Sequence, residues 1–142
     1  MTRGSLESTY RRFLLGVTLF VLVGAVLELY FAEHAADFVQ LIPFGLAAIG
    51  AVSTAAVMAR PKRASLIALR IVMFVLAAGS AYGVYEHLSH NVAFQQEIRP
   101  NIAFGNALID ALFGASPLLA PGVLGLAALL GIAATYRHPA LQ

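Results

Sequence analysis

The sequence predicts an all-α integral membrane protein: a four-transmembrane-helix bundle carrying the marks of two parallel two-helix repeats, with a short outer interfacial helix between helices three and four. Three observations predict it. Hydrophobic residues make up 60% of the 142-residue chain and charged residues 11%, where a soluble domain carries roughly 25% charged residues; the mean hydropathy is +0.82. Four apolar stretches, Phe13 to Phe31, Phe38 to Ala59, Ser65 to Tyr85 and Leu118 to Tyr136, match the about 20 residues that a helix needs to cross a bilayer. Finally, basic and acidic residues fall at alternate ends of these stretches. The whole chain, residues 1–142, reads as a single membrane domain, with repeat halves 1–63 and 64–142.

The first stretch follows Arg11 and Arg12 as the core of a secretory signal would. It exceeds the roughly 7–15 residues of such a core, and no small-x-small cleavage site follows it, so a retained helix is expected. Glu28 lies at least a turn inside it. A carboxylate there costs up to about 2.5–3.5 kcal/mol at the membrane centre and less near the edge. Protonation, pairing with Arg99 or a histidine, cation binding, or extension into outer water would each offset that cost. The second stretch repeats alanine at Ala47, Ala51, Ala55 and Ala59, small residues of the kind that let membrane helices approach closely.

The third stretch contains Gly79 and Gly83, a GxxxG pair, and Arg70, whose side chain is expected to snorkel to the cytoplasmic headgroups. If the helix continues, Gly79, Gly83, Glu86, His87 and His90 share one face, which points the polar cluster into the bundle. Between this helix and the fourth, Pro100 and Asn101 read as a helix start, and Ile102, Leu108, Ile109, Leu112 and Phe113 recur at helical spacing. A short amphipathic helix on the outer surface follows from that pattern.

Arg3, Arg11, Arg12, Arg60, Lys62, Arg63, Arg70 and Arg137 belong to one set of ends, with Glu7 as the only acid there, and Arg99 alone to the other, which is joined by Glu28, Glu33, Asp37, Glu86, Glu97 and Asp110. The basic ends should be cytoplasmic, placing both termini inside and the acidic connections outside, in a bacterial inner membrane. With the basic residues at helix ends rather than on one soluble face, no nucleic-acid partner is expected. The implied partners are the lipid bilayer and other membrane subunits or further copies of the chain.

The ordered recurrence of Glu-His, proline, "GLAA" and basic-Pro supports the repeat: Glu33-His34, Pro43, Gly45 to Ala48, Arg60-Pro61 against Glu86-His87, Pro121, Gly125 to Ala128, His138-Pro139. A parallel repeat implies a pseudo-twofold axis along the membrane normal, bringing the Glu-His pairs together. Glu28, Glu33, His34, Glu86, His87 and His90 are therefore the candidate metal ligands. His87 and His90 stand at i, i+3 and Glu86 and His90 at i, i+4, spacings that share a helical face, and carboxylate with imidazole suits zinc, iron or copper. Non-covalent haem b between His34 and His87 or His90 is a second cofactor reading. The alternative is that these groups form solvated outer helix ends or a hydrogen-bonded polar cap.

The absence of cysteine excludes disulfides, thiolate metal sites and cysteine nucleophiles. Ser53 and Thr54 have no histidine at their depth to act as base, and no phosphate loop, dinucleotide fingerprint or zincin motif occurs. The expected function is that of a binding or accessory subunit with no catalytic residue. A metal- or haem-dependent membrane enzyme or electron carrier, and an ion-coupled transporter using Glu28, are the alternatives.

Overall fold

The computed structural model describes residues 3–33, 35 and 37–142, Arg3 by its backbone only. Five α-helices follow one another: α1 (Arg3–Phe31), α2 (Phe38–Ala59), α3 (Arg63–Ile98), α4 (Phe104–Ala111) and α5 (Leu119–Ala134), closed by a 3-10 turn at Pro139–Leu141. There is no strand among the described residues.

Two prolines set the limits of α3. Arg60 and Arg99 precede Pro61 and Pro100, and both lie outside the helical region, at φ −146°, ψ 91° and φ −138°, ψ 78°. A proline's ring crowds the residue before it out of the helical region, so α2 stops at the first proline and α3 at the second. Ser65 then ties the start of α3, accepting from Lys62 N at 3.0 Å and donating to Arg60 O at 2.9 Å. Pro100 thus terminates a helix rather than opening one, and α4 starts later, at Phe104. Helix α1 gives way to a turn in which Glu33 adopts φ 51°, a left-handed conformation that is uncommon for a residue with a side chain.

Helices α1, α2 and α3 are long and apolar enough to cross a membrane, so the chain is read as an integral membrane protein. The 16 residues of α5 rise only about 24 Å at 1.5 Å per residue, short of the roughly 30 Å hydrocarbon core. The fourth expected span is therefore shorter than its apolar stretch, because the chain leaves the helix at Thr135. By contrast, the 36 residues of α3 reach about 54 Å, well beyond a bilayer core.

Four helices pack in a ring: α1 touches α2 and α5, α3 touches α2 and α5, and α1 and α3 lie diagonally, with no close approach of their backbones. The core is narrow, made of Leu22, Leu66, Leu69, Met73 and Leu76 with Ala47, Ala127 and Ala128. Large apolar side chains point outward, among them Phe20, Phe74, Phe31 and Phe38. A water-soluble bundle would bury such residues, whereas lipid imposes no such demand, so outward aromatics and an alanine-rich seam match a bilayer environment. The glycine pair of α3 serves the close approach expected of it. A Cβ on Gly79 would collide with Leu46 of α2, and one on Gly83 would lie 2.9 Å from Cβ of Pro121 of α5.

Candidate functional site

Of the face expected to turn inward, the structure delivers one part. His87 is half-buried and its Nδ1 lies 2.9 Å from the Pro117 carbonyl oxygen. A carbonyl only accepts, so the ring carries a proton on Nδ1, and in the neutral imidazole Nε2 is then the nitrogen with the free electron pair. Pro121 explains why that carbonyl is available. Having no N–H, it cannot supply the bond that a helix would make back to residue 117.

Glu86 and His90 are exposed instead. The inward stripe of α3 runs through Ser80, Gly83, His87 and Asn91, steps of three and four residues that leave Glu86 and His90 to the side of it. Ser80 is buried and its hydroxyl donates to Pro121 O at 2.7 Å. Asn91, only 2% exposed, uses its amide in full. Nδ2 donates to Ala111 O at 3.0 Å and Ser116 O at 2.8 Å, while Oδ1 accepts from Ser116 N at 3.0 Å. This side chain fastens the segment between α4 and α5 to the far end of α3.

On the other candidate residues the structure is equally specific. Glu28 and Glu33 are exposed, and His34 lies outside the described residues. Among the described residues no three His, Asp or Glu side chains come together as a group able to hold a metal ion. Glu33 sits in the turn after α1, whereas Glu86 lies within α3, so the two glutamates have different backbones. Tyr82, one turn before Glu86, is within reach of its carboxylate. Arg99 pairs with Asp110 at 2.5 Å and also bonds Gln95, so the expected partner of Glu28 is already committed within the α3–α4 cap. In α4 the alanines Ala107 and Ala111 are buried, while Phe104, Leu108 and Ile109 are exposed, as are Leu112 and Phe113 just after it. Its large apolar residues thus face away from the protein.

Arg70 also differs from expectation. Its Nε donates to Thr135 Oγ1 at 2.9 Å and a terminal nitrogen to Thr135 O at 2.8 Å. The guanidinium caps the C-terminus of α5, where unpaired carbonyls and the helix dipole favour a cation, rather than reaching for headgroups. Sequence reasoning named neither Asn91 nor Thr135. Asn91 carried a weak signal as a polar residue one turn beyond His87, but its partners lie 20 and 25 residues away and are visible only in the fold.

No family model, curated protein or solved structure matches this chain.

Proposed function

We propose that the chain is a small polytopic protein of a bacterial inner membrane, both termini cytoplasmic, acting as a binding or accessory subunit of a larger membrane assembly. Its contact with another membrane subunit, or with a second copy, runs through the acidic end. The observation that carries this reading is the clamped projection of α3. From Glu86 to Ile98 the helix continues past its apolar stretch, and His87 and Asn91 lock it to the segment leading into α5. Glu86 and His90 stand exposed on that fixed surface, and α4, which packs against the same helix, turns its large apolar residues outward. A rigid display of charge beside apolar area binds with little ordering cost.

The ring order supports a parallel repeat of α1–α2 on α3–α5, since it sets α1 diagonal to α3 and α2 diagonal to α5, as a twofold axis along the bundle requires. The segregation of basic residues supports the orientation. Transport through Glu28 draws less support. Glu28 is exposed, and the buried hydroxyls of Thr18 and Thr54 are spent on Leu14 O and Gly50 O of their own helices.

The His87 tautomer favours a second reading, a cation on Nε2. A neutral imidazole whose Nδ1–H is held by a carbonyl is the usual state of a ligating histidine. The further ligands would come from the partner or from His34.

Cross-linking in native membranes followed by mild-detergent purification tests the first reading. A cross-linked partner or dimer should form, and the double variant Glu86→Ala, His90→Ala should lose it while its thermal unfolding is unchanged. A monomer with no cross-linked neighbour would refute the subunit reading. Metal analysis and an absorption spectrum of the same sample test the second: stoichiometric zinc, iron, copper or haem that His87→Ala removes would establish it.

A further inference from the structure

At the opposite end of the bundle, a cleft of about 310 Å³ opens between the start of α1, the end of α2 and the C-terminal turn. Gly4, Ser8, Arg11, Arg12 and Leu15 contribute the α1 wall; at i, i+4, i+7, i+8 and i+11 they form one helical face. The floor is apolar, with Leu15, Val57 and Leu66 all buried. The mouth is polar. Ser8 and Arg12 are exposed, and a Cβ built on Gly4 meets nothing within 4 Å, so the entrance is open.

Arg11 is held in place by the Arg137 carbonyl at 3.2 Å, and Glu7 approaches it at 3.5 Å, beyond ordinary hydrogen-bond length. Burial, and then the Arg11 charge, hold the His138 imidazole below its ordinary pKa. Among the described residues Arg12 makes no hydrogen bond or ion pair. Eight of the nine basic residues belong to this end.

We propose that this cleft binds one anionic phospholipid, with the headgroup phosphate on Arg12 and Arg11 and an acyl chain against Met58, Ala59 and Pro61, the exposed apolar lining above that floor. A cationic mouth over an apolar floor, at the end of a membrane bundle, matches both halves of such a molecule. A free phosphate would use the mouth alone. A zwitterionic lipid would fill the floor but gain less from the charge.

The test uses full-length protein, delipidated in detergent and followed by native mass spectrometry during titration with phosphatidylglycerol, phosphatidylcholine or inorganic phosphate. A one-to-one phosphatidylglycerol adduct should persist where phosphatidylcholine is lost. Arg12→Gln should weaken it roughly fivefold, the worth of one basic side chain near an anionic headgroup. Ser8→Trp, which fills the cleft and keeps every charge, should abolish it. Arg63→Gln, exposed and outside the cleft, should leave it intact. Equal retention of the two lipids, or a loss in Arg63→Gln as large as in Arg12→Gln, would overturn the site. Displacement of the lipid by millimolar inorganic phosphate would show that the mouth reads bare phosphate and would overturn the lipid assignment.

Discussion

A primary amide has two donor hydrogens and a carbonyl acceptor, and at Asn91 two backbone carbonyls and one backbone N–H meet them in a buried setting. Asn91→Ala would strand the N–H and carbonyl of Ser116, while Ala111 O keeps Gly114 N at 3.2 Å, and leaving buried polar groups unpaired costs about 1–3 kcal/mol for each. We expect Asn91→Ala to lower stability by about 2–3 kcal/mol, read as a drop in Tm in detergent. Asn91→Asp, which keeps the acceptor and loses both donors, should fall as well. His138 gives a pH dependence of known sign. Burial, and then the Arg11 charge, lower its pKa from the ordinary 6.5, and its Nδ1 accepts from Ala140 N at 3.2 Å, which requires the neutral ring. The unfolded chain therefore takes up the proton first as pH falls. Stability should decline below the ordinary histidine pKa of about 6.5 and level off once the folded form is also protonated. Tm measured against pH should show this slope, and His138→Asn, which keeps an acceptor, should flatten it.

Among the elements, α5 depends most on its neighbour. Arg70 supplies two hydrogen bonds to Thr135 at its C-terminus, and bonds to charged groups contribute about 1.5–3 kcal/mol each. Arg70→Met should cost at least about 2 kcal/mol and loosen the last turn of α5, measurable as faster amide exchange at Ala133 and Ala134. Gly83→Val should separate α3 from α5, since the first added carbon already meets Pro121 at 2.9 Å. Overpacking of this kind costs about 1–3 kcal/mol and should appear in the same unfolding assay. Helices α1 to α3 were legible because a long apolar run has few ways to satisfy its backbone in lipid. The extension of α3 was legible only as a condition, through the glycine face and the stop at Pro100. The shortness of α5 was not, because apolar residues continue to Tyr136 and the cap from Arg70 arrives from 65 residues away. Within the candidate site, the inward placement of His87 could be read from spacing. The outward placement of Glu86 and His90 depended on which side of the glycine face α5 occupies, which periodicity alone does not specify.

For the molecule as a whole, the separation of charge predicts a definite orientation. The chain contains no cysteine, so single introduced thiols report without background. A membrane-impermeant maleimide should label Gln96→Cys in spheroplasts and Ala64→Cys only after lysis; the reverse pattern would invert the orientation. The fastening of α5 to α3 also limits how the bundle can move. Thr135 is held by Arg70, Pro121 by Ser80, Pro117 by His87 and Ser116 by Asn91, so α5 is pinned at both ends to a single continuous rod. A piston stroke of one turn, about 5.4 Å, would break all four attachments at once. Helices α1 and α2 meet that pair largely through packed side chains such as Leu22 and Leu46. The low-cost motion is therefore a rocking of α1 and α2 against a stationary α3–α5 frame.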